Sequence, residues 1–422
     1  MKFIDSFRLI FLTSLVLFST FEIGPVYATE SVAKEWDGLS QPYTALRQII
    51  DLPTPEFDEN LITKYVSGIR PIHSIRPQID AKAVDYKGDL YLLADCWGHG
   101  GAGTTLAPGS AKMVYEKLFQ TANLNDIDIL KERIAILGAG INGLWVARYL
   151  LKQGIPASHI TIYAKDFENT VSHIAAGMWL PISMPRGGED PSFFEKLEDD
   201  SYHAYYALAH KQNPKIEGVQ ELPLYTFNME NEARSLARRG LVPKGTPVIL
   251  RNQNLKEVEV VYWKRGFFLV DPFFLMPSLK KNLENKEVSF VSLTFSKEEE
   301  FFELQTRIIV NCLGLGNREL LEEGQKNLRP SKGELVYLQP QQNINYMLFG
   351  VLSEGRTFGF IPKAEGLVIG VTRKPGDTSS EPNEEDAKEL LERGRELFSK
   401  AQISYENNQY FTIDQAYKGI AA

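Results

Sequence analysis

The sequence predicts an α/β fold of two domains. Three observations predict it: a strand, glycine turn and helix in "RIAILGAGINGLWVARYLLKQG" (133–154), a second strand in "HITIYA" (159–164) soon after it, and a length of 422 residues with 43% hydrophobic and 24% charged residues. Strand and helix signals that alternate point to a parallel sheet with helices packed on it. The length suits two domains or one large two-part domain, with a core large enough to need no disulfide support. The net charge of −8 is spread along the chain without a basic block, which argues against nucleic acid or an anionic membrane surface as a partner.

Taken in order, residues 1–28 read as a secretory signal peptide. Lys2 and Arg8 precede the apolar run "LIFLTSLVLFSTF" (9–21), short for a membrane span, and "VYA" (26–28) carries the small residues of a cleavage site. Cleavage implies export, to a periplasm or out of the cell, with no stable membrane span left. An uncleaved anchor, a buried helix or a cytoplasmic protein is the alternative, and no twin-arginine pair precedes the run. Residues 29–61 form an N-terminal extension. Then "LYLLADCWGHGGAGTT" (90–105) reads as a strand entering a glycine-rich loop, and "APGSAKMVYEKLF" (107–119) as the helix that follows. Cys96 and Cys312, each ending an apolar run, are too few for a disulfide framework or a zinc site and are expected as buried free thiols. A bridge between them stays open in an oxidising compartment.

In the second glycine turn, Gly138, Gly140 and Gly143 have G-x-G-x-x-G spacing. The first permits the tight turn, the second lets a pyrophosphate approach the backbone, and the third lets helix and strand pack closely. Ala139, Ile141 and Asn142 complete the loop, and the helix N-terminus offers N–H groups and a positive dipole end to phosphates. An acid usually ends the second strand and holds a ribose; here Ala164 is followed by Lys165 and Asp166. Asp166 can substitute, and Lys165 can face a phosphate. The motif alone does not choose between NAD and FAD. The acidic stretches 297–303 and 381–386 read as solvated faces, and "YHAYYAL" (202–208) as core. No metal-ligand, P-loop or paired-carboxylate spacing stands out.

The choice of cofactor comes from "IYAKDF" (162–167) and "SHIAAGMWLP" (172–181). Tyr163, Ala164, Phe167, Ala175, Ala176, Gly177, Trp179 and Pro181 resemble the D-amino-acid oxidase family of FAD enzymes at matching positions. The resemblance implies a Rossmann-like, three-layer FAD domain interleaved with a mixed β-sheet substrate domain. It also implies that Ser172, Ala176, Gly177 and Met178 wrap the cofactor. "IIVNCLG" (308–314) resembles the family's strand beside FAD; "LRPSKGELVYL" (328–338) and "FIPKAEGLVIG" (360–370) resemble its substrate-domain strands. In the family, a stretch similar to "GIRPIHSIRPQI" (68–79), the strand and loop of 90–105 and the last helix come at the end of the chain; here they come first. A circular permutation is therefore expected. Its divisions are 62–120 (C-terminal part of the FAD domain), 121–132 (joining loop), 133–185 (FAD-binding motif), 186–300 (mainly substrate domain), 301–325 (FAD domain), 326–400 (substrate domain) and 401–422 (tail). "IDQAYKGIAA" (413–422) faintly repeats "ITKYVSGIRP" (62–71), an overlap that tandem duplication would leave. Strand 90–95 is then expected beside and parallel to strand 307–311.

The resemblance also implies a chemistry. The amino group of a small amino acid, D-configured first of all, is oxidised to an imine that hydrolyses to a 2-oxo acid, and dioxygen reoxidises the flavin. Negative charge developing on the ring needs a positive partner, and the 98–105 loop offers N–H groups and a helix dipole. Gly98, Gly100, Gly101 and Gly103 admit the ring, Thr104 and Thr105 can donate, and His99 reads as a structural hydrogen-bonder rather than a base. A guanidinium clamps a substrate carboxylate bidentately. Arg76 is the expected clamp and Arg70 its partner or the true clamp, because their even spacing puts both on one strand face. The other reading of Arg76 is a tie from the sheet to an acidic loop. Tyr262 and Trp263 are candidates for the pocket lid, or core aromatics. Ala102 replaces a family tyrosine and is expected to open space beside the flavin. A flavin dehydrogenase passing electrons to a carrier, a glycine or amine oxidase, and a degenerate flavin-binding secreted protein stay open as alternatives. Oligomeric state is not legible.

Overall fold

The runs rich in Ile, Leu and Val become strands buried on both faces, as the core of a parallel sheet requires. The computed structural model describes residues 48–228, 230–252, 257–352, 355–399 and 402–403. The expected signal peptide and the repeat at 413–422 lie outside these residues.

In chain order the elements are β1 (Gln48–Asp51), β2 (Ile62–His73), β3 (Gln78–Tyr86), β4 (Asp89–Trp97), α1 (Gly103–Leu124), β5 (Ile134–Leu137), α2 (Ile141–Lys152), β6 (Ile160–Ala164), α3 (Pro191–Ala209), β7 (Val219–Glu221), β8 (Leu224–Phe227) and α4 (Glu230–Arg238). They continue as β9 (Thr246–Arg251), β10 (Glu257–Trp263), β11 (Phe268–Val270), α5 (Pro272–Glu284), β12 (Ser289–Ser292), β13 (Ile308–Asn311), α6 (Asn317–Leu320), α7 (Glu322–Asn327), β14 (Leu328–Leu338), β15 (Met347–Val351), β16 (Thr357–Lys363), β17 (Gly366–Gly370), β18 (Lys374–Pro375), α8 (Glu384–Ser399) and β19 (Gln402–Ile403).

A six-stranded sheet runs β12-β6-β5-β13-β4-β3. Its first five strands are mutually parallel, and β3 is an antiparallel edge strand. Alternate residues feed opposite faces, the two-residue period of a strand. Leu92, Ile134, Ile136, Ile160 and Val310 pack beneath helices α1, α2, α3 and α5. Leu93, Ala135, Leu137 and Ile309 face Phe295, Phe301 and Phe302 on the other side. The acidic stretch at Glu298–Glu303 is thus only half solvated, since its two phenylalanines are buried. Leu92 to Asp95 pair in parallel register with Ile308 to Asn311, the adjacency expected for these strands.

The second sheet has eleven strands, ordered β1-β9-β10-β8-β15-β16-β17-β14-β18, with β2 on β14 and β19 on β10. Helix α8 lays Ala387, Leu390, Leu391 and Leu397 on its face against Phe358 and Phe360. Three predicted boundaries shift. Strand β2 pairs along β14, from Leu328 opposite His73 to Leu338 opposite Ile62, so the 62–120 segment begins in the second sheet and enters the first only at β3. Helix α1 runs to Leu124, which shortens the joining loop. The 186–300 segment contributes α3, α5 and β12 to the first sheet and its helical layer. No described helix is long and apolar enough to cross a membrane.

Candidate active site

A cavity of about 890 Å³ opens between the two sheets, and both glycine loops line it. At one end lies the turn between β5 and α2. Gly138 takes φ +106°, and a Cβ there would stand 2.5 Å from the Cys312 carbonyl oxygen, so only glycine makes this turn. A Cβ on Gly143 would lie 2.0 Å from the Gly138 carbonyl oxygen; this glycine sits outside the lining and serves the helix–strand packing. Gly140 faces the cavity, where an added Cβ would meet only the Ser172 Oγ at 3.2 Å. Ser172 accepts from the Ile141 N–H at 3.0 Å, which ties the downstream loop to the N-terminus of α2. Ala139, Ile141 and Asn142 line this end, as do Lys165 and Asp166 beyond β6, and Ser172, Ala176, Gly177 and Met178 continue the wall. Gly177, at φ +84°, lets its loop press on β11: its carbonyl accepts from Val270 at 2.6 Å. Bare backbone, a twelve-residue helix aimed at the space and an acid beyond β6 fit a dinucleotide.

The second loop closes the middle of the cavity. Gly98, His99, Gly100, Gly101, Gly103, Thr104 and Thr105 all line it. Gly98 and Gly100 adopt φ +82° and +60°, and the His73 N–H donates to the Gly98 carbonyl at 3.1 Å, pinning the loop to the end of β2. His99 is fully buried. Its Nδ1 faces the Asn142 amide nitrogen at 3.1 Å and its Nε2 the Ser110 Oγ at 2.9 Å. The amide donates, so Nδ1 accepts and Nε2 carries the proton. Burial lowers the imidazole pKa to about 4, so His99 is a neutral strut joining the two glycine loops through Asn142. Ala102 is fully buried and absent from the lining; it opens no space in the cavity, because the 3₁₀ turn at Gly100–Ala102 rolls it into the core. Cys96 and Cys312 are free and buried, and the Cys312 thiol, raised by burial and by its Cys96 neighbour, abuts the cavity.

Charge enters at the wall of the eleven-stranded sheet. Arg70, on β2, packs its guanidinium flat on the backbone of Gly333, where a Cβ would meet the Nη2 at 1.9 Å. Its Nη1 reaches the Lys332 and Thr372 carbonyls, each at 3.4 Å. Arg76 is elsewhere: it pairs with Asp80 at 2.8 Å and Glu189 at 3.0 Å and lies over Phe193. Residues 70 and 76 do not share the strand face expected of them, because β2 ends at His73 and a bend carries the chain into the other sheet. Arg76 is the tie between a sheet and an acidic loop. Tyr262 stacks on Tyr225 at 4.8 Å on the α8 side of the sheet, and Trp263 donates to the Thr226 Oγ1 at 2.9 Å and packs on the opposite side; neither lines the cavity.

Three site residues escaped the sequence reading. Gly333 lay inside a quoted strand, but nothing local marked it as the seat of Arg70. Arg373 follows β17 and also lines the cavity, its Nη2 donating to the Ser183 Oγ at 3.1 Å. Ser183 holds φ +68° and accepts the Gly101 N–H at 2.9 Å. A left-handed serine carries no motif, and such strain gathers at functional sites. Below this wall, buried Lys363 donates to the Ala175 carbonyl at 3.0 Å, with Asp271 at 3.7 Å; burial lowers its pKa to about 8.

The chain is similar to known proteins along much of its length. The D-aspartate oxidase of Homo sapiens is 26% identical over 274 residues, covering 62% of this chain and 74% of that one. The D-amino-acid oxidase of Streptomyces coelicolor is 24% identical over 268 residues, covering 62% and 76%. The solved glycine oxidase from Bacillus cereus superposes with a TM-score of 0.44 at 20% identity, covering 63% of this chain and 77% of that one. The model of the DAO family, described as FAD dependent oxidoreductase, matches residues 133–420, well over half of the sequence, and the chain belongs to that family.

Proposed function

We propose that the protein oxidises the amino group of a small amino acid, D-configured, to an imine that hydrolyses to a 2-oxo acid and ammonia, with dioxygen as the final acceptor and hydrogen peroxide as its product. The carrying observation is one cavity that joins a dinucleotide-type turn at Gly138–Asn142 to a guanidinium, Arg70, seated on the opposite sheet. FAD, held there, would supply the redox chemistry as acceptor of the hydride on the amine-bearing carbon. The protein's part is orientation. Gly140, Ile141 and Ser172 would hold the pyrophosphate, Asp166 a ribose, and the 98–105 loop the ring. The N–H groups and dipole at the start of α1 would stabilise negative charge as it develops there. Arg70 would pair with the substrate carboxylate and fix the amine-bearing carbon over the ring. His99, neutral and doubly engaged, leaves no side chain of the loop to act as a base, which suits a substrate whose amine enters deprotonated.

The same reading includes export through the 1–28 segment and a permuted chain order. The family match begins at residue 133, while Arg70 and the 98–105 loop precede it and line the same cavity, which supports permutation. The test of function is a panel of D- and L-amino acids with FAD-loaded protein, assayed for oxygen uptake, peroxide and 2-oxo acid together. Uptake with equimolar peroxide on D-substrates is expected. Reduction of a dye acceptor without oxygen uptake would favour a dehydrogenase, and no turnover on any member contradicts the proposal.

A further inference from the structure

Helix α1 starts in the cavity wall and carries a proline in its second turn. Pro108 has no N–H, so the carbonyl of Thr104, four residues earlier, loses its helical donor. Helix α3 supplies another. The fully buried Tyr205 hydroxyl donates to that carbonyl. One turn earlier on the same face of α3, the buried Ser201 Oγ accepts the Gly109 N–H at 2.9 Å. The helices approach this closely because residue 109 is glycine: a Cβ there would lie 2.2 Å from the Leu197 carbonyl oxygen. The Tyr205 ring packs edge-on against Trp145 of α2, with centroids 5.8 Å apart. Burial raises the pKa of its hydroxyl, which keeps its proton and donates. The ring fills the core, as the 202–208 run suggests, but packing alone gives the hydroxyl no task.

The carbonyl that Tyr205 holds belongs to the turn that faces the cavity. Gly103, Thr104 and Thr105 line it, and the N-cap residue, Ala102, brings no side-chain acceptor to the first-turn N–H groups. The positive end of α1 is therefore presented to the cavity, and its aim depends on the tilt of the turn before Pro108. A proline ring presses on the carbonyl four residues back and opens that turn. We propose that Tyr205 is a positioning residue for the flavin: its hydroxyl stands in for the N–H that Pro108 lacks and fixes the angle at which the N-terminus of α1 meets the ring. This rests on reading the 98–105 loop as the holder of the ring.

The test measures the two-electron midpoint potential of the FAD-loaded protein. A positive dipole end beside the ring favours the reduced, more negatively charged flavin. Tyr205→Phe keeps the aromatic ring and removes the hydroxyl. Reduced flavin should then lose at least about threefold in affinity relative to oxidised flavin, a fall in potential of about 15 mV or more. Pro108→Ala returns an N–H to position 108, so the double variant should recover most of the wild-type potential, which a packing role for Tyr205 would not explain. An unchanged potential in Tyr205→Phe, or an equal fall in the double variant, overturns the proposal. Where Tyr205→Phe fails to retain FAD, retention becomes the readout: recovery in the double variant supports the brace, and loss in both overturns it. Anaerobic addition of D-amino acids separates this from the wider reading. Bleaching in every variant with no shift in potential removes the brace and keeps the oxidation. A shift that Pro108→Ala reverses, with no bleaching in any of them, does the opposite.

Discussion

Arg70 and Arg76 stand six positions apart and end up in different company. Arg70 lies on the bare backbone of Gly333 inside the cavity, while Arg76 is spent on Asp80 and Glu189. Losing a bidentate partner of a buried carboxylate costs about 2–5 kcal/mol. Arg70→Ala should therefore lower kcat/KM at least about a hundredfold, since about 1.4 kcal/mol is a factor of ten. Arg76→Ala should leave kcat/KM within a few-fold of wild type, and equal losses in the two variants would contradict the assignment. His99 gives a pH prediction. Its proton binds near 6.5 in the unfolded chain and near 4 in the fold. Between these values the unfolded chain holds more protons, so the contribution is complete above pH 6.5 and falls as pH drops towards 4, by about 1.4 kcal/mol per unit. Urea midpoints should follow that slope, and His99→Gln should flatten it; identical pH dependence in both proteins would count against a neutral strut.

At the scale of elements, the ladder of β2 on β14 sets the site. Register puts Gly68 opposite Gly333 and Arg70 opposite Ser331, so the guanidinium folds back over a glycine. Gly333→Ala places a methyl 1.9 Å from the Arg70 Nη2, and the side chain must leave. Flavin content should be unchanged and kcat/KM reduced at least about tenfold, on the hundredfold scale of losing Arg70; unchanged kinetics would show that Arg70 is not held there for function. The glycine turn and the 98–105 loop were legible in sequence because special backbone geometry demands glycine, and glycines survive as spacing. Arg76 and Tyr262 were misplaced for a different reason. A strand face can be read only while the strand continues, and β2 breaks at His73. Tyr262 stands in an apolar run that suits a pocket lid and a core equally, and only the ring it meets across the ladder, Tyr225, decides.

Across the whole molecule, the parallel placement of β4 beside β13 brings the front of the chain to the sheet that the 133–420 stretch builds. The nucleotide unit was legible because its parts are local. The membership of β2 in the second sheet was not, since its partner β14 lies more than 250 residues away. If the order is a permutation, the fold should tolerate its reversal: a chain beginning at residue 133, running to 403 and continuing through a short glycine-serine linker into 47–124 should fold and retain FAD. Both described ends favour this, because β1 and β19 attach to the two strands of the β9–β10 hairpin. Failure to bind FAD in that order would argue that the present order is required. The most direct test of the central claim is an anaerobic absorption spectrum of the FAD-loaded protein before and after mixed D-amino acids. Bleaching of the flavin band in the wild type and its near absence in Arg70→Ala is the expected result. A band that persists in the wild type, or that bleaches equally in Arg70→Ala, would contradict a cavity in which Arg70 presents an amino acid to the flavin.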